Sequence, residues 1–500
     1  MDEVGSKRPP YLIITVLMVG AFIAFLNNTL LNVALPAIMD DLGVNMATVQ
    51  WLTTGFMLIN GIMIPTTAYL IQKYSVRGLF LSAIGLFTVG TIVAALAPVF
   101  SVLLIGRMLQ ASGSAILMPL LMNVLLVSFP ISRRGTIMGF LGLILTFAPA
   151  IGPTLSGWII QQFNWRALFT LIAPISILCF ILGFIYLKDK KEKVDMRLDK
   201  LSVVLSSVGF GSLLYGFSSA GNVGWGNPLV IITIVVGIVT LFTFVIYQNR
   251  MDTPMLDFRI FKYPMYSLSV VISMIVFMSL FSGFMLLPVF AQDVINLTPM
   301  QAGLLLLPGA LINGIMSPIN GKLFDKFGGR TLAVSGLAIL IVTTFMLSKL
   351  SFETTMTELA IIHAVRMFGL SMVSMPVQTN GLNQLPVNMY PHGTAMNNTL
   401  NQVAGAIGTA FLITILSIRT KLYMVQLTSE AERAGKVLTD AQLEQIGVEA
   451  MLGGINDTFF ISAIIIIVAL VLAFFMKRVT QDNRGEGQSA IEVNPATENS

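Results

Sequence analysis

The chain has 500 residues, 55% of them hydrophobic and only 11% charged, with a mean hydropathy of +0.84. Soluble globular domains carry about 25% charged residues, so a chain this long and this sparsely charged has lipid as its main solvent. One cysteine (Cys179) and two histidines (His363, His392) exclude an internal disulfide and leave little for metal chemistry, and the net charge of +5 sits in short basic patches between apolar runs, which reports membrane orientation rather than nucleic-acid binding.

In chain order, apolar runs between breakers predict fourteen spans, near 11–34, 48–71, 79–97, 102–126, 136–160, 167–187, 201–219, 228–247, 267–291, 302–321, 331–349, 359–381, 397–417 and 457–476. The first follows Lys7 and Arg8 and is too long for a signal-peptide core, so it is read as a spanning helix. The remainder divides into an N-terminal tail (1–10), a basic linker, a helix pair and a second linker (188–265), a long outer loop (418–456) and a C-terminal tail (477–500). Within the outer loop, 427–451 has a helical period suited to the membrane surface. With the N-terminus inside, 21 of the 29 Lys and Arg residues fall on the inner side and six outside, while Arg107 and Arg366 lie within spans. This bias predicts that both termini are cytoplasmic. No Gly-x-x-x-x-Gly-Lys-Ser/Thr segment occurs, so the chain has no P-loop of its own.

The sequence also repeats. Ala68-Tyr-Leu-Ile-Gln-Lys-Tyr-Ser-Val-Arg77 aligns with Gly321-Lys-Leu-Phe-Asp-Lys-Phe-Gly-Gly-Arg330 at an offset of 253, each after the second span of a set. Arg107 and Arg366, 259 residues apart, each lie in the fourth span of a set. Two six-span halves, 11–187 and 266–476, therefore flank the central pair at 201–247. The expected fold is an all-α integral membrane protein of fourteen transmembrane helices, and parallel six-helix repeats with a midplane site are the architecture of alternating-access carriers.

The residues resemble the major facilitator superfamily, in particular its fourteen-span drug:proton antiporter branch, which includes exporters of the multidrug and lincomycin-resistance type. The segment from Gly321 to Arg330 is similar to the superfamily's signature loop, and that from Ala68 to Arg77 to a degraded copy of it. Leu103-Leu-Ile-Gly-Arg-Met-Leu-Gln-Ala-Ser-Gly113 resembles the fourth-helix motif, with Arg107 and Gln110 in its key positions. Ala148-Pro-Ala-Ile-Gly-Pro-Thr-Leu-Ser-Gly157 resembles the fifth-helix antiporter motif, and Leu26-Asn-Asn-Thr-Leu-Leu-Asn-Val-Ala-Leu-Pro36 the first-helix motif. One departure matters: Asn27 stands where the branch commonly carries Asp, and no Asp or Glu lies deep within a span.

A mid-helix arginine costs roughly 2.5–3.5 kcal/mol on insertion scales, so Arg107 and Arg366 are expected to face the interior. There they line a substrate cavity or are tied to backbone carbonyls and amides for packing. Gln110 shares the Arg107 face. Asn27, Asn28 and Asn32 in the first span and Asn398 and Gln402 in the thirteenth either line the same cavity or join helices by hydrogen bonds. His363, three residues before Arg366, is a proton-coupling candidate or a neutral buried hydrogen-bonding group; Asp40, Asp41 and Asp293, nearer the outer surface, are the other coupling candidates. His392 is expected in a short inner loop without a role. Pro149, Gly152, Pro153 and Gly157 fit a kinked, close-packed hinge. Asp325, with Lys326 and Arg330, forms an inner gate or a topological charge patch.

These readings lead to a secondary exporter of amphipathic small molecules in the cell membrane, with no cofactor and the proton gradient as energy source. Without a deep carboxylate, it is expected to favour neutral or anionic substrates. It is expected to act as a monomer in the bilayer, to bind no nucleic acid and no metal, and to catalyse no reaction. A membrane sensor or scaffold that keeps a carrier fold without transport is the alternative, favoured by the missing carboxylate.

Overall fold

The computed structural model describes residues 11–188, 199–433 and 439–477. Lipid offers no partner to a backbone N–H or C=O, so a spanning segment must satisfy its own. Accordingly the described residues contain fourteen helices long and apolar enough to cross a membrane, and no strand. The first half comprises α1 (Tyr11–Leu42), α2 (Trp51–Lys73), α3 (Val76–Ala95), α4 (Phe100–Ser128), α5 (Ile131–Gln162) and α6 (Arg166–Tyr186). The central pair is α7 (Lys200–Val223) and α8 (Pro228–Asn249). The second half comprises α9 (Pro264–Val289), α10 (Pro299–Phe327), α11 (Gly329–Leu347), α12 (Met356–Leu382), α13 (Tyr390–Arg433) and α14 (Asp440–Ala473).

Polar side chains at the water-facing ends define where these helices start. Ser75 accepts from the Gly78 N–H at 3.1 Å, and Thr298 and Thr439 form capping boxes with Gln301 and Gln442. Between α10 and α11 the chain turns at Gly328, whose φ of +82° suits a residue without a Cβ.

The halves repeat in space as well as in sequence. In each, the first helix packs on the fifth and sixth, the second on the fourth, and the third on the fourth and sixth. They meet along two seams related by the same pseudo-symmetry, α5 on α10 and α2 on α13. The α5–α10 seam is built on small residues. A Cβ on Gly139 would lie 2.5 Å from the Ser317 carbonyl oxygen and 2.8 Å from Pro318 Cα, and one on Gly135 would lie 2.5 Å from the Gly321 carbonyl oxygen. With Gly142, which lies against the Ser317 side chain, these residues form one stripe along α5, and at Gly135 and Gly139 the backbones of the two helices come into contact. The other seam is flanked by the central pair, because α7 packs on both α2 and α13. Tyr215 stacks on Trp51 at 6.1 Å, and Trp225 Nε1 donates to Thr414 Oγ1 at 2.5 Å. Helix α8 packs chiefly on α7 and exposes Ile232, Val235, Val239 and Phe242, a lipid-facing surface.

The long outer loop expected over 418–456 is mostly helix. α13 continues to Arg433 and α14 begins at Asp440. At about 1.5 Å per residue, the 44 residues of α13 extend roughly 66 Å, twice the thickness of a hydrocarbon core of about 30 Å. Within the stretch 427–451 the described residues are the end of one spanning helix and the start of the next, and 434–438 between them lie outside the described residues. Arg419 Nε donates to Asp457 Oδ2 at 2.5 Å and clamps the pair together, while Gly453 lies against the Tyr423 ring. The polar pattern marked where the chain leaves lipid, and the helices continue past that point. The tails 1–10 and 478–500 and most of the basic linker, 189–198, lie outside the described residues.

If the seam depends on backbone contact, Gly139→Leu will lower the melting temperature of the detergent-solubilised protein, since overpacking of this kind costs about 1–3 kcal/mol. Gly157→Ala, on the same helix but with open space around its Cβ position, is the control and will leave the melting temperature unchanged.

Candidate functional site

Helix α4 presents Arg107, Gln110 and Ser114 on one face, and glycines let α3 come close enough to seal it. A Cβ on Gly90 would fall 2.5 Å from the Gly106 carbonyl oxygen and 2.7 Å from the Gln110 nitrogen. Inside this packing Arg107 is fully buried. Its Nη1 donates to Gln110 Oε1 at 2.9 Å and its Nη2 to Asn28 Oδ1 at 3.2 Å. The same Gln110 oxygen accepts from Asn27 Nδ2 at 3.0 Å, and Gln110 Nε2 donates to Thr91 Oγ1 at 2.8 Å. The guanidinium carbon lies 4.3 Å from the centre of the Phe56 ring, a cation–π contact, and Nε has no hydrogen-bond partner. Four helices thus meet at one arginine.

The second half holds the equivalent nest. Arg366, 1% exposed, donates from Nη2 to the Ser279 carbonyl at 2.7 Å and to Ser282 Oγ at 3.0 Å, and from Nε to Thr344 Oγ1 at 3.3 Å. Nη1 has no hydrogen-bond partner and lies over Gly283, where any Cβ would collide with it. Ser282 takes the place of Asn28 on the first helix of its half, and Thr344 that of Thr91 on the third. His363, one turn before Arg366, is equally buried; its Nδ1 has no hydrogen-bond partner and its ring edge packs on Gly309. Among the described residues, no acid hydrogen-bonds or ion-pairs with either arginine. The ion pairs Asp41–Arg166, Asp257–Arg259 and Asp457–Arg419 lie elsewhere.

The residues expected to line one cavity are therefore divided. Asn27, Asn28, Arg107 and Gln110 form the first nest, and Arg366 anchors the second. Asn398 lies between the halves, donating to Met122 Sδ at 3.4 Å, and Gln402, one turn further, is exposed. Asn32 on α1 and Pro149 and Pro153 on α5 hold helical positions, but their side chains lie outside the described residues. In the hinge segment Gly152 is a close approach, since a Cβ there would run into the Thr29 side chain. Gly157 is not, because nothing lies within 4 Å of its Cβ position.

The carboxylates considered for proton coupling lie apart from both nests. Asp40 and Asp293 are exposed. Asp41 accepts from Arg166 Nη1 at 2.6 Å and from Trp165 Nε1 at 3.0 Å; these hydrogen bonds, that of Arg166 foremost, hold its carboxyl below the usual carboxylate range.

At the face where α1 begins and α14 ends, polar contacts fasten the halves together. Asp325 at the end of α10 accepts from the Gly135 and Thr136 N–H groups of α5 at 2.8 and 2.9 Å, and from the Thr136 hydroxyl at 2.6 Å. Arg134 reaches the other way, donating to Asn383 Oδ1 at 2.9 Å and to the Tyr390 hydroxyl at 2.8 Å. On the second seam Gln72 meets His392 at 2.9 Å. Arg330, near the start of α11, is exposed. Toward the opposite face α5 turns to α1 of its own half, where Thr29 Oγ1 and Ser156 Oγ donate to the Ala148 and Leu30 carbonyls. Sequence reasoning missed Arg134, Gln72 and His392. The repeat contained the signal: Arg134-Gly-Thr-Ile-Met138 aligns with His392-Gly-Thr-Ala-Met396, and Gln72 with Asp325.

Comparison with known proteins agrees with this architecture. A family model described as Major Facilitator Superfamily matches residues 17–409. The uncharacterized MFS-type transporter YhcA of Bacillus subtilis strain 168 is 43% identical, over 99% of this chain and 98% of its own. The lincomycin resistance protein LmrB of the same organism is 42% identical over 93% and 96%. The multidrug export protein EmrB of Haemophilus influenzae is 28% identical over 95% and 99%. The crystal structure of the human organic anion transporter MFSD10 superposes with a TM-score of 0.63 at 12% identity, over 92% of this chain and all of that one, and so shares the fold.

Two substitutions test the nests and the hinge. Arg107→Ala leaves Gln110, Asn28 and the space over Phe56 without their partner, and is expected to cut transport at least about tenfold, or about 1.4 kcal/mol, with membrane expression retained. Arg107→Lys should restore part of the rate, because an ammonium cannot reproduce the two-pronged geometry; transport assays with quantified membrane protein check both. Gly152→Leu forces α5 away from Thr29 and is expected to block turnover while substrate still binds, which equilibrium binding measured beside flux will report.

Proposed function

The chain belongs to the major facilitator superfamily, and from that membership we propose that it is a proton-driven exporter of amphipathic small molecules that favours neutral and anionic substrates over cations. As in its family, it is a multi-pass membrane transporter and not an enzyme. Export of toxic compounds is supported by relatives named for lincomycin resistance and multidrug export. The excess of Lys and Arg in the segments on the side where α1 begins and α14 ends supports a cytoplasmic position for both termini. On that orientation the Asp325, Arg134 and Gln72 contacts close the cytoplasmic side, and alternating access requires them to part as the two halves rock about their seams.

The substrate preference rests on one observation: both interior arginines are solvated by neutral groups, with no acid among their partners. Neutral partners satisfy a guanidinium's donors without cancelling its charge, and in a low-dielectric interior that field reaches a substrate held between the halves. It repels a cation and attracts an anion. For the proton, Asp41 is committed to Arg166 and Trp165 while Asp40 and Asp293 are exposed, so the interior candidate is His363 with its unpartnered Nδ1.

The decisive comparison is export from proteoliposomes of matched cationic, neutral and anionic amphiphiles under an imposed pH gradient. Gradient-dependent flux of the neutral and anionic members, lost in His363→Asn, is expected. Robust export of the cations alone, with both arginines intact, would refute the preference, and no flux of any member of a broad panel would favour a sensor with a carrier fold.

A further inference from the structure

His392 is the third residue of α13, buried where three parts of the protein meet. Its Nδ1 accepts from the Asp257 backbone N–H at 3.1 Å, in the linker that follows the central pair. Its Nε2 lies 2.9 Å from the Gln72 carboxamide at the end of α2. A backbone N–H can only donate, so Nδ1 must present a lone pair, and a neutral ring then carries its one proton on Nε2. Turned about its last torsion, the Gln72 carboxamide presents its oxygen to accept that proton and gives up the 3.1 Å bond from its Nε2 to the Ala68 carbonyl oxygen. We infer that His392 is a proton-sensitive latch: while neutral it holds α2, α13 and the central linker together at the face where α1 begins and α14 ends, and when protonated it releases them.

The reason is one of valence. A second proton on the ring has only Nδ1 to occupy, where it would face the Asp257 N–H, donor against donor. The imidazolium cannot keep the contact that the neutral ring makes. The repeat supplies the contrast, because the equivalent residue on the other seam is Arg134, a permanent cation whose partners Phe129, Asn383 and Tyr390 all accept from it. One tie between the halves is thus a charge independent of pH, and the other is an imidazole, the side chain whose ordinary titration range in water lies closest to neutrality. Other titratable groups on the elements around His392 are Tyr69 and Lys73 on α2, Asp257 and Arg259 in the linker, Tyr266 on α9 and Tyr390 on α13. Lys73 Nζ donates to the Tyr69 hydroxyl at 2.8 Å, and the Tyr266 hydroxyl to the Gly393 carbonyl at 2.9 Å. The Asp257 carboxylate is paired with Arg259 at 2.7 Å; burial works against its ionisation, but the Arg259 hydrogen bonds and charge prevail and hold its carboxyl below the usual range. Carboxylate and guanidinium therefore largely offset each other at the ring. The sign of the linkage follows: the open state, with the ring in water, binds a proton that the closed state excludes, so falling pH on this side favours opening and rising pH favours closure.

The latch presupposes the alternating-access reading, and a distance measurement separates the two. Nitroxide labels at Tyr74→Cys and Asn388→Cys, both exposed at this face, are placed in full-length protein with Cys179→Ser, reconstituted in lipid nanodiscs. Pulsed electron–electron resonance is recorded at about pH 8 and about pH 5.5, bracketing the ordinary histidine range. In the parent protein the longer-distance population should grow on acidification, by up to about tenfold between the two pH values, because only the interval below the ordinary histidine pKa of about 6.5 contributes. In His392→Asn, whose Oδ1 still accepts from Asp257, and in His392→Gln, whose amide still reaches Gln72, it should not change with pH. Equal pH dependence in both variants, or an opening in the parent that ignores pH, overturns the latch and leaves alternating access standing. A face that opens at neither pH in any of the three proteins overturns both.

Discussion

A guanidinium inside a bilayer has no water to solvate it, so the protein must do so, and the interior of each half is arranged around that requirement. Hydrogen bonds to a charged donor contribute about 1.5–3 kcal/mol each, and a desolvated cation–π contact about 2 kcal/mol. The two bonds of Arg107 and its place over Phe56 together exceed an insertion cost of roughly 2.5–3.5 kcal/mol. No counter-ion is required to keep the residue where it is. Because the partners are neutral, the charge persists, and a feature that is sufficient for folding becomes an electrostatic property of the bundle interior.

The two nests show how far a repeat can diverge while keeping one geometry. The first helix supplies a side-chain oxygen in both halves, Asn28 or Ser282, and the third supplies a threonine, Thr91 or Thr344. The position three residues after the arginine differs. It is Gln110 in the first half, whose carboxamide accepts from both Arg107 and Asn27, and Gly369 in the second, which packs backbone to backbone against Gly336. With no carboxamide available there, Arg366 takes a main-chain carbonyl, that of Ser279, instead.

Hydropathy made the fourteen spans legible because twenty apolar residues in a row have few other uses, and insertion cost picked out Arg107 and Arg366 for the same physical reason. What hydropathy cannot report is where a helix stops once it has left lipid, which is why α13 and α14 run well beyond their apolar cores. Nor does it give helix rotation. Asn27 and Asn28 were both visible as interior amides, but which of them meets Arg107 directly depends on how α1 is turned against α4. Gly152 and Gly157 look alike in sequence, and only the position of Thr29 tells them apart. Gln72 and His392 were hidden differently: each is an unremarkable polar residue near a loop, and its role emerges when the two halves are aligned and Asp325 and Arg134 are found in the matching places.

That alignment also exposes an asymmetry between the seams. The α5–α10 seam has glycine backbones in contact and Asp325 holding two N–H groups near the start of a helix, so it is made largely of main chain and tolerates little displacement without loss of several contacts at once. The α2–α13 seam is made of side chains and is flanked by α7. The contacts of α7 with α2 are apolar, Tyr215 on Trp51 and Leu214 against Gly61, and surfaces of this kind can slide because dispersion is non-directional. Toward α13 the central pair is held by directional bonds at both ends, Trp225 to Thr414 near one face and Asp257 to His392 near the other. Hydrogen bonds weaken steeply with angle and distance. The central pair is therefore fastened to the second half and merely rests on the first, and one of its two fastenings is the imidazole that also touches Gln72.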